Sequence, residues 1–165
     1  MKNVKWHKQD EKELLMTGDQ VLIDLKVNLV KDSICIIQNI EYTIKRKGMW
    51  QHNYFMFHQD KQVLKMVFNF WGNKGKVHFN DGTFIDCDLQ TSGGLKIRFL
   101  NNEQEILSYK SIGKAKDRET VFHIGIAFVD AEKLLFLAAI GKYIFSIMYY
   151  ECVDDVASNL LLLTA

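Results

Sequence analysis

A hydrophobic stretch near the carboxyl end, residues 129–151, constrains the fold more than any other part of the chain. It reads VDAEKLLFLAAIGKYIFSIMYYE, and its apolar residues fall on every side of a helical wheel. A helix that is apolar all round has to be enclosed. The sequence therefore predicts a buried helix, and the rest of the chain must supply the walls around it.

Two other interpretations of this stretch stay open at the level of sequence. A membrane span needs about 20 apolar residues, whereas the apolar part here, residues 134–150, is shorter and carries Lys142 at its middle. A helix that ends near Ile140 is the second alternative, because Gly141 is followed by good strand formers. The enclosed soluble helix is the interpretation that we adopt.

Residues 18–129 alternate between apolar and polar side chains in the two-residue period of half-buried strands. The Asp81–Gly82 pair between two alternating runs indicates a tight hairpin. Residues 34–37 form a short apolar run, which predicts a strand covered on both faces, and the apolar strand at residues 54–57 is expected to be heavily buried. Many short strands without intervening helices favour a barrel or a sandwich.

The predicted fold is mostly β (α+β), a closed antiparallel β-barrel wrapped around a buried hydrophobic C-terminal helix. We expect a single domain over residues 1–165. Its parts are a polar N-terminal lead-in (1–17), β-strands (18–129), the central hydrophobic helix (130–151) and a C-terminal tail (152–165). The four leucines of the tail suggest that it docks on the body or on a second chain.

Composition excludes some classes of function. The net charge of +1 provides no overall field for nucleic acid, so no nucleic-acid partner is expected. Three widely spaced cysteines argue against a disulfide framework and predict reduced thiols. The amino-terminal residues have no apolar segment typical of a secretory signal, which predicts a cytoplasmic protein.

The order of these parts resembles the tubby C-terminal-like superfamily, which includes the LURP-one-related proteins and the phospholipid scramblases. The likeness is carried by the hairpins around KVHFNDGTFIDCDL and LKIRFLNNEQEILSYK, and by the strand VFHIGIAFVD that leads into EKLLFLAAIGKYIF. The resemblance implies a closed barrel threaded by a hydrophobic helix. It also implies phosphoinositide binding or membrane association, while Lys142 inside the supposed central helix departs from the pattern.

Clustered cations are the candidate ligand-binding residues, because they can replace the water that a phosphate loses on binding. They are the triplet Lys45, Arg46 and Lys47 and the loop pair Lys74 and Lys76. The competing interpretation is that these lysines only keep strand ends soluble. The leading hypothesis is a non-catalytic, tubby-like or scramblase-like barrel domain that binds a lipid headgroup or a protein partner through its loops. The lipid partner would be a phosphoinositide or an anionic membrane surface, which implies a peripheral membrane location.

Catalytic and metal-binding motifs are not recognisable. The histidines lack the spacings of zinc sites, and the Asp86/Asp88 and Asp154/Asp155 pairs lack an EF-hand pattern. There is no GxSxG motif, and Cys87 is predicted to point inward, where a thiol is inert. The mixed-sign loop 114–119 is predicted to be solvated. We expect no cofactor, no metal and no enzyme activity, with an uncharacterised hydrolase as the third hypothesis.

The tripeptide Gly48-Met49-Trp50 supports the second hypothesis. A Gly-x-Trp at the start of a barrel strand is similar to the lipocalin opening, although here strands precede it. The alternative function is therefore a lipocalin-like carrier that holds a small apolar ligand inside the barrel. The sequence does not indicate the oligomeric state.

Overall fold

The computed structural model describes residues 4–47, 53–69, 71–112, 119–127 and 129–163, without the side chains of residues 119 and 150–163. Twelve strands precede one helix, α1 (Ala131–Leu163). The strands are β1 (Val4–Gln9), β2 (Lys12–Thr17), β3 (Gln20–Lys26), β4 (Ser33–Ile37), β5 (Ile40–Lys47), β6 (Asn53–His58), β7 (Lys61–Phe68), β8 (Lys74–Phe79), β9 (Phe84–Gln90), β10 (Lys96–Asn101), β11 (Gln104–Ile112) and β12 (Glu119–Ile124).

The strands follow one another in sequence order around a single antiparallel sheet, which curls into a nearly closed barrel. Tight turns permit this, because both central residues of three hairpins have positive φ, as type I′ turns require. These turns are Gln38–Asn39, Gln59–Asp60 and Asn102–Glu103. The predicted barrel with a buried C-terminal helix is confirmed.

Helix α1 runs through the barrel, and most of its residues from Leu135 to Ile147 are buried on all sides. The inward residues of nearly every strand pack against it or against each other. At the amino-terminal end, Asp130 accepts a hydrogen bond from the backbone N–H of Lys133 at 2.8 Å and so caps the helix. Inside the barrel, the Tyr109 hydroxyl donates to the carbonyl of Ala138 at 2.7 Å.

Gly141 lies within the helix and does not end it. A Cβ at this position would lie 2.7 Å from the ring of Tyr109 and 2.8 Å from the ring of Phe99. The glycine therefore lets two buried aromatic rings approach the helix backbone. The alternative prediction, a helix that ends near Ile140 and is followed by a strand, is wrong.

Residues 1–17 were expected to be a polar lead-in, but their described part, residues 4–17, forms the strands β1 and β2. Of the apolar residues that looked isolated in the sequence, Leu15 is buried and Trp6 is half-buried on the inner face, whereas Leu14 and Met16 lie on the outer face. Lys5 and Lys12 lie on the outer face, but Glu13 faces inward, opposite the buried Leu25. The backbone of the hairpin alternates like that of the later strands, but the sequence does not show it, because Glu13 faces inward while Leu14 and Met16 face outward.

Other boundaries also differ from the sequence-based expectation. Helix α1 continues to Leu163, beyond the predicted end at residue 151. Strand β4 is not covered on both faces, because Ile34 is exposed, and β6 is less buried than expected, because Phe55 and Phe57 are only half-buried. An apolar run does not reveal which of its residues face outward.

Lys142 lies inside the barrel, and its burial lowers the pKa of its ammonium. Its Nζ lies 3.4 Å from Glu13 Oε2 of β2 and 5.7 Å from the ring centroid of Trp6 of β1. The charge is therefore accommodated by the β1–β2 hairpin. Among the described residues, no helix combines the length and the apolar character that a membrane span requires.

Candidate functional site

The predicted basic triplet does not form one cluster, because successive residues of β5 point to opposite faces of the sheet. Arg46 shares the inner face with Tyr42 and Ile44, both buried. Lys45 and Lys47 lie on the outer face, where their ammonium groups approach the aromatic rings of β6.

Strands β5, β6 and β7 together form a surface that we call the lysine–phenylalanine face. Its members are Lys45, Lys47, Phe55, Phe57 and Lys65. The rings of Phe55 and Phe57 stack with their centroids 6.2 Å apart and their planes inclined by 25°. Lys47 Nζ lies 5.4 Å from the Phe55 centroid and 5.9 Å from the Phe57 centroid. Lys45 Nζ lies 5.7 Å from Phe57, and Lys65 Nζ lies 5.8 Å from Phe55.

Strand register creates this arrangement. Phe55 is directly opposite Lys45 on one side and Lys65 on the other. Side chains opposite each other in antiparallel strands lie about 5 Å apart, which suits contact between an ammonium group and a ring. The rings are half-buried, so an apolar surface and positive charge are presented together.

The charge of this face is only partly neutralised. Lys45 forms an ion pair with Asp32 at 3.0 Å. Within the described part of the chain, Lys47 and Lys65 have no carboxylate within ion-pair distance. Two ammonium groups therefore remain available to an anion that approaches the rings.

The loop pair Lys74 and Lys76 lies on the same outer wall but outside this face. Strands β6 and β7 separate β8 from β5, which corresponds to about 14 Å between β5 and β8. Lys76 pairs with Asp86 at 3.7 Å, and both lysines line an open groove of about 740 Å³ with Asp88 and Arg98. A single phosphate group therefore does not contact both predicted groups of lysines.

Sequence reasoning missed three members of the lysine–phenylalanine face: Phe55, Phe57 and Lys65. Phe55 and Phe57 belong to the run Tyr54 to Phe57, in which all four residues are apolar. Only the strict period of two could have assigned Phe55 and Phe57 to one face, and the register with Lys45 and Lys65 is a tertiary property.

The other candidate residues from the sequence analysis that the structure describes lie outside the lysine–phenylalanine face. Among the described residues, no group of His, Cys, Asp and Glu could hold a metal ion. Cys87 is buried, and this raises the pKa of its thiol, as predicted for an inert cysteine. Asp86 and Asp88 are on the outer face, where Asp88 accepts a hydrogen bond from Arg98 at 2.9 Å. His52 and the Gly48-Met49-Trp50 tripeptide lie outside the described residues.

Glu105, Ser108 and His123 come together on the outer face of β11 and β12. The Ser108 hydroxyl donates to Glu105 Oε1 at 2.7 Å, and His123 Nδ1 lies 2.9 Å from the same oxygen. Burial would raise the pKa of the Glu105 carboxyl, but these hydrogen bonds outweigh it and the pKa is lowered. Because the serine donates to the carboxylate and not to the histidine, this group lacks the geometry of a nucleophilic triad.

Two further candidates fall where the structure gives no side chains. Of the loop 114–119, residues 114–118 lie outside the described residues and the side chain of Glu119 is not described. Asp154 and Asp155 belong to α1, in the part of the helix without described side chains.

Comparisons with protein-family models, with curated proteins and with solved structures found no match to this chain.

Proposed function

We propose that this chain is a non-catalytic binding domain of tubby-like or scramblase-like architecture, and that it recognises an anionic lipid headgroup at a membrane surface. The lysine–phenylalanine face carries the proposal. Lysines supply attraction to anionic lipid, about 1 kcal/mol for each one near the surface. Aromatic rings beside them suit the boundary between headgroups and acyl chains.

The filled interior supports a ligand on the outside of the barrel. The buried side chains of α1 occupy the space that an internal ligand would need, whereas a carrier requires a cavity of about 300 Å³ or more. The proposal therefore ranks surface recognition above the lipocalin-like alternative. It also implies a peripheral association with membranes.

The test is sedimentation of the full chain with phosphatidylcholine vesicles that contain a phosphoinositide, compared with vesicles of phosphatidylcholine alone. We expect binding to the anionic vesicles that weakens as salt is raised. The Lys47→Gln/Lys65→Gln variant should bind about 30-fold more weakly, since two lysines contribute about 1 kcal/mol each.

The matched control is Lys12→Gln/Lys26→Gln, which removes the same charge from lysines that pair with Asp24 and Glu11 on another wall. This control should bind within about twofold of the parent chain. Absence of binding at low salt, or equal losses in both variants, would overturn the proposal. In the second case, net charge alone would explain the binding.

A further inference from the structure

The sheet formed by the described strands is discontinuous between its first and last strands, β1 and β12. Within the described ranges, β1 pairs with β2 alone, and β12 pairs with β11 alone. Among the described residues, no backbone hydrogen bond joins β1 to β12. Each of these strands therefore presents one edge whose backbone N–H and C=O groups are not used by the sheet.

We call the gap between β1 and β12 the seam. Side chains bridge it on the inner side of the barrel. The indole N–H of Trp6 in β1 donates to the Tyr109 hydroxyl of β11 at 2.9 Å, and the Trp6 ring meets Phe122 of β12 edge to face at 6.5 Å. Aromatic side chains therefore line the inner side of the seam, while the backbone edges of β1 and β12 that face each other are unpaired among the described residues.

The outer rim of the seam is positively charged. Lys5 and His7 lie on the outer face of β1, and Lys110 lies on β11 directly opposite Val121 of β12. In the described part of the chain, Lys5 and Lys110 have no carboxylate partner. Nearby Glu105 is already bound to His123 and Ser108.

We propose that the seam between β1 and β12 binds an extended peptide segment of a partner protein by strand addition, and that this segment alternates apolar and acidic residues. Backbone groups of the two edges would bind the peptide backbone, as in other cases of β-strand addition. Because strand side chains alternate, apolar residues would face Trp6 and Phe122, and acidic residues would face Lys5 and Lys110. This site is separate from the lysine–phenylalanine face and does not depend on it.

The test is titration of the full chain with an acetylated octapeptide that alternates valine and glutamate, followed by calorimetry or fluorescence anisotropy. We expect saturable binding at least tenfold tighter than that of the corresponding valine–lysine peptide. N-methylation of alternate peptide bonds should weaken binding at least tenfold, because it removes backbone donors. Hydrogen exchange should slow in β1 and β12 when the peptide is bound.

Charge reversal at the rim provides the decisive variant. Lys5→Glu/Lys110→Glu should reverse the preference, so that the valine–lysine peptide binds more tightly. The control Lys12→Glu/Lys26→Glu makes the same change in net charge elsewhere and should keep the original preference. Lack of saturable binding, binding that is insensitive to N-methylation, or a reversal in the control would each overturn the proposal.

Discussion

Lys142 shows how a single buried charge can be compatible with an apolar helix. Its side chain is 8% exposed and that of its partner Glu13 is 17% exposed. Removing a charge from water costs free energy, and a partner of opposite charge offsets this cost only when both charges of the pair are present. The ion pair between Lys142 and Glu13 therefore links α1 to the β1–β2 hairpin.

Glu13→Gln should destabilise the protein more than replacement of the whole pair. The single variant leaves the Lys142 ammonium buried without a carboxylate, which we expect to cost about 3 kcal/mol. The double variant Glu13→Gln/Lys142→Met removes the buried charge and should recover most of that loss. The free energy of unfolding in urea measures both, and equal losses would show that the ion pair is not coupled to stability.

At the level of elements, helix α1 packs closely against strands β10 and β11 at Gly141. Gly141 has the rings of Phe99 and Tyr109 against it, and both rings are fully buried. Glycine is a poor helix former in isolation, by about 1 kcal/mol relative to alanine. Its presence in the middle of this helix is explained by packing.

Gly141→Ala should therefore destabilise the protein although it raises helix propensity. A methyl group at 2.7 Å from a ring requires the ring or the helix to move, at a cost of about 1–3 kcal/mol. Combining it with Phe99→Leu should make the double variant lose less than the sum of the single losses, since the smaller side chain leaves room. Thermal unfolding provides the measurement, and a stabilised Gly141→Ala variant would contradict the close packing.

On the scale of the whole molecule, the barrel and its helix form one core in which Cys35 and Cys87 are buried on the inner faces of β4 and β9. Burial raises the pKa of both thiols. A thiol reacts as its thiolate, so neither should react while the core is closed.

In a Cys152→Ser background, a thiol reagent such as dithionitrobenzoate should leave both cysteines unmodified in the native protein and modify both after denaturation. The rate in the native state then reports opening of the barrel. Rapid reaction of either cysteine under native conditions would show that the helix does not fill the interior.

Much of the architecture was predictable because it depends on periodicity. An apolar helix without a polar face requires enclosure, and strands that alternate every two residues can enclose it. The same reasoning failed where the period is obscured, as in the polar hairpin β1–β2 and in the apolar run of β6. In β2, Glu13 faces inward and Leu14 faces outward, and in β6 apolar residues occupy both faces.

The sequence by itself determined the buried helix, the strands with clear alternation and the inward position of Cys87, because each follows from neighbours along the chain. Only the tertiary structure decided that Lys45 and Lys65 share a surface, since strand register places Phe55 between them. The open seam between β1 and β12 is likewise tertiary. Contacts between strands depend on register and closure, and neither is encoded in the local pattern of one strand.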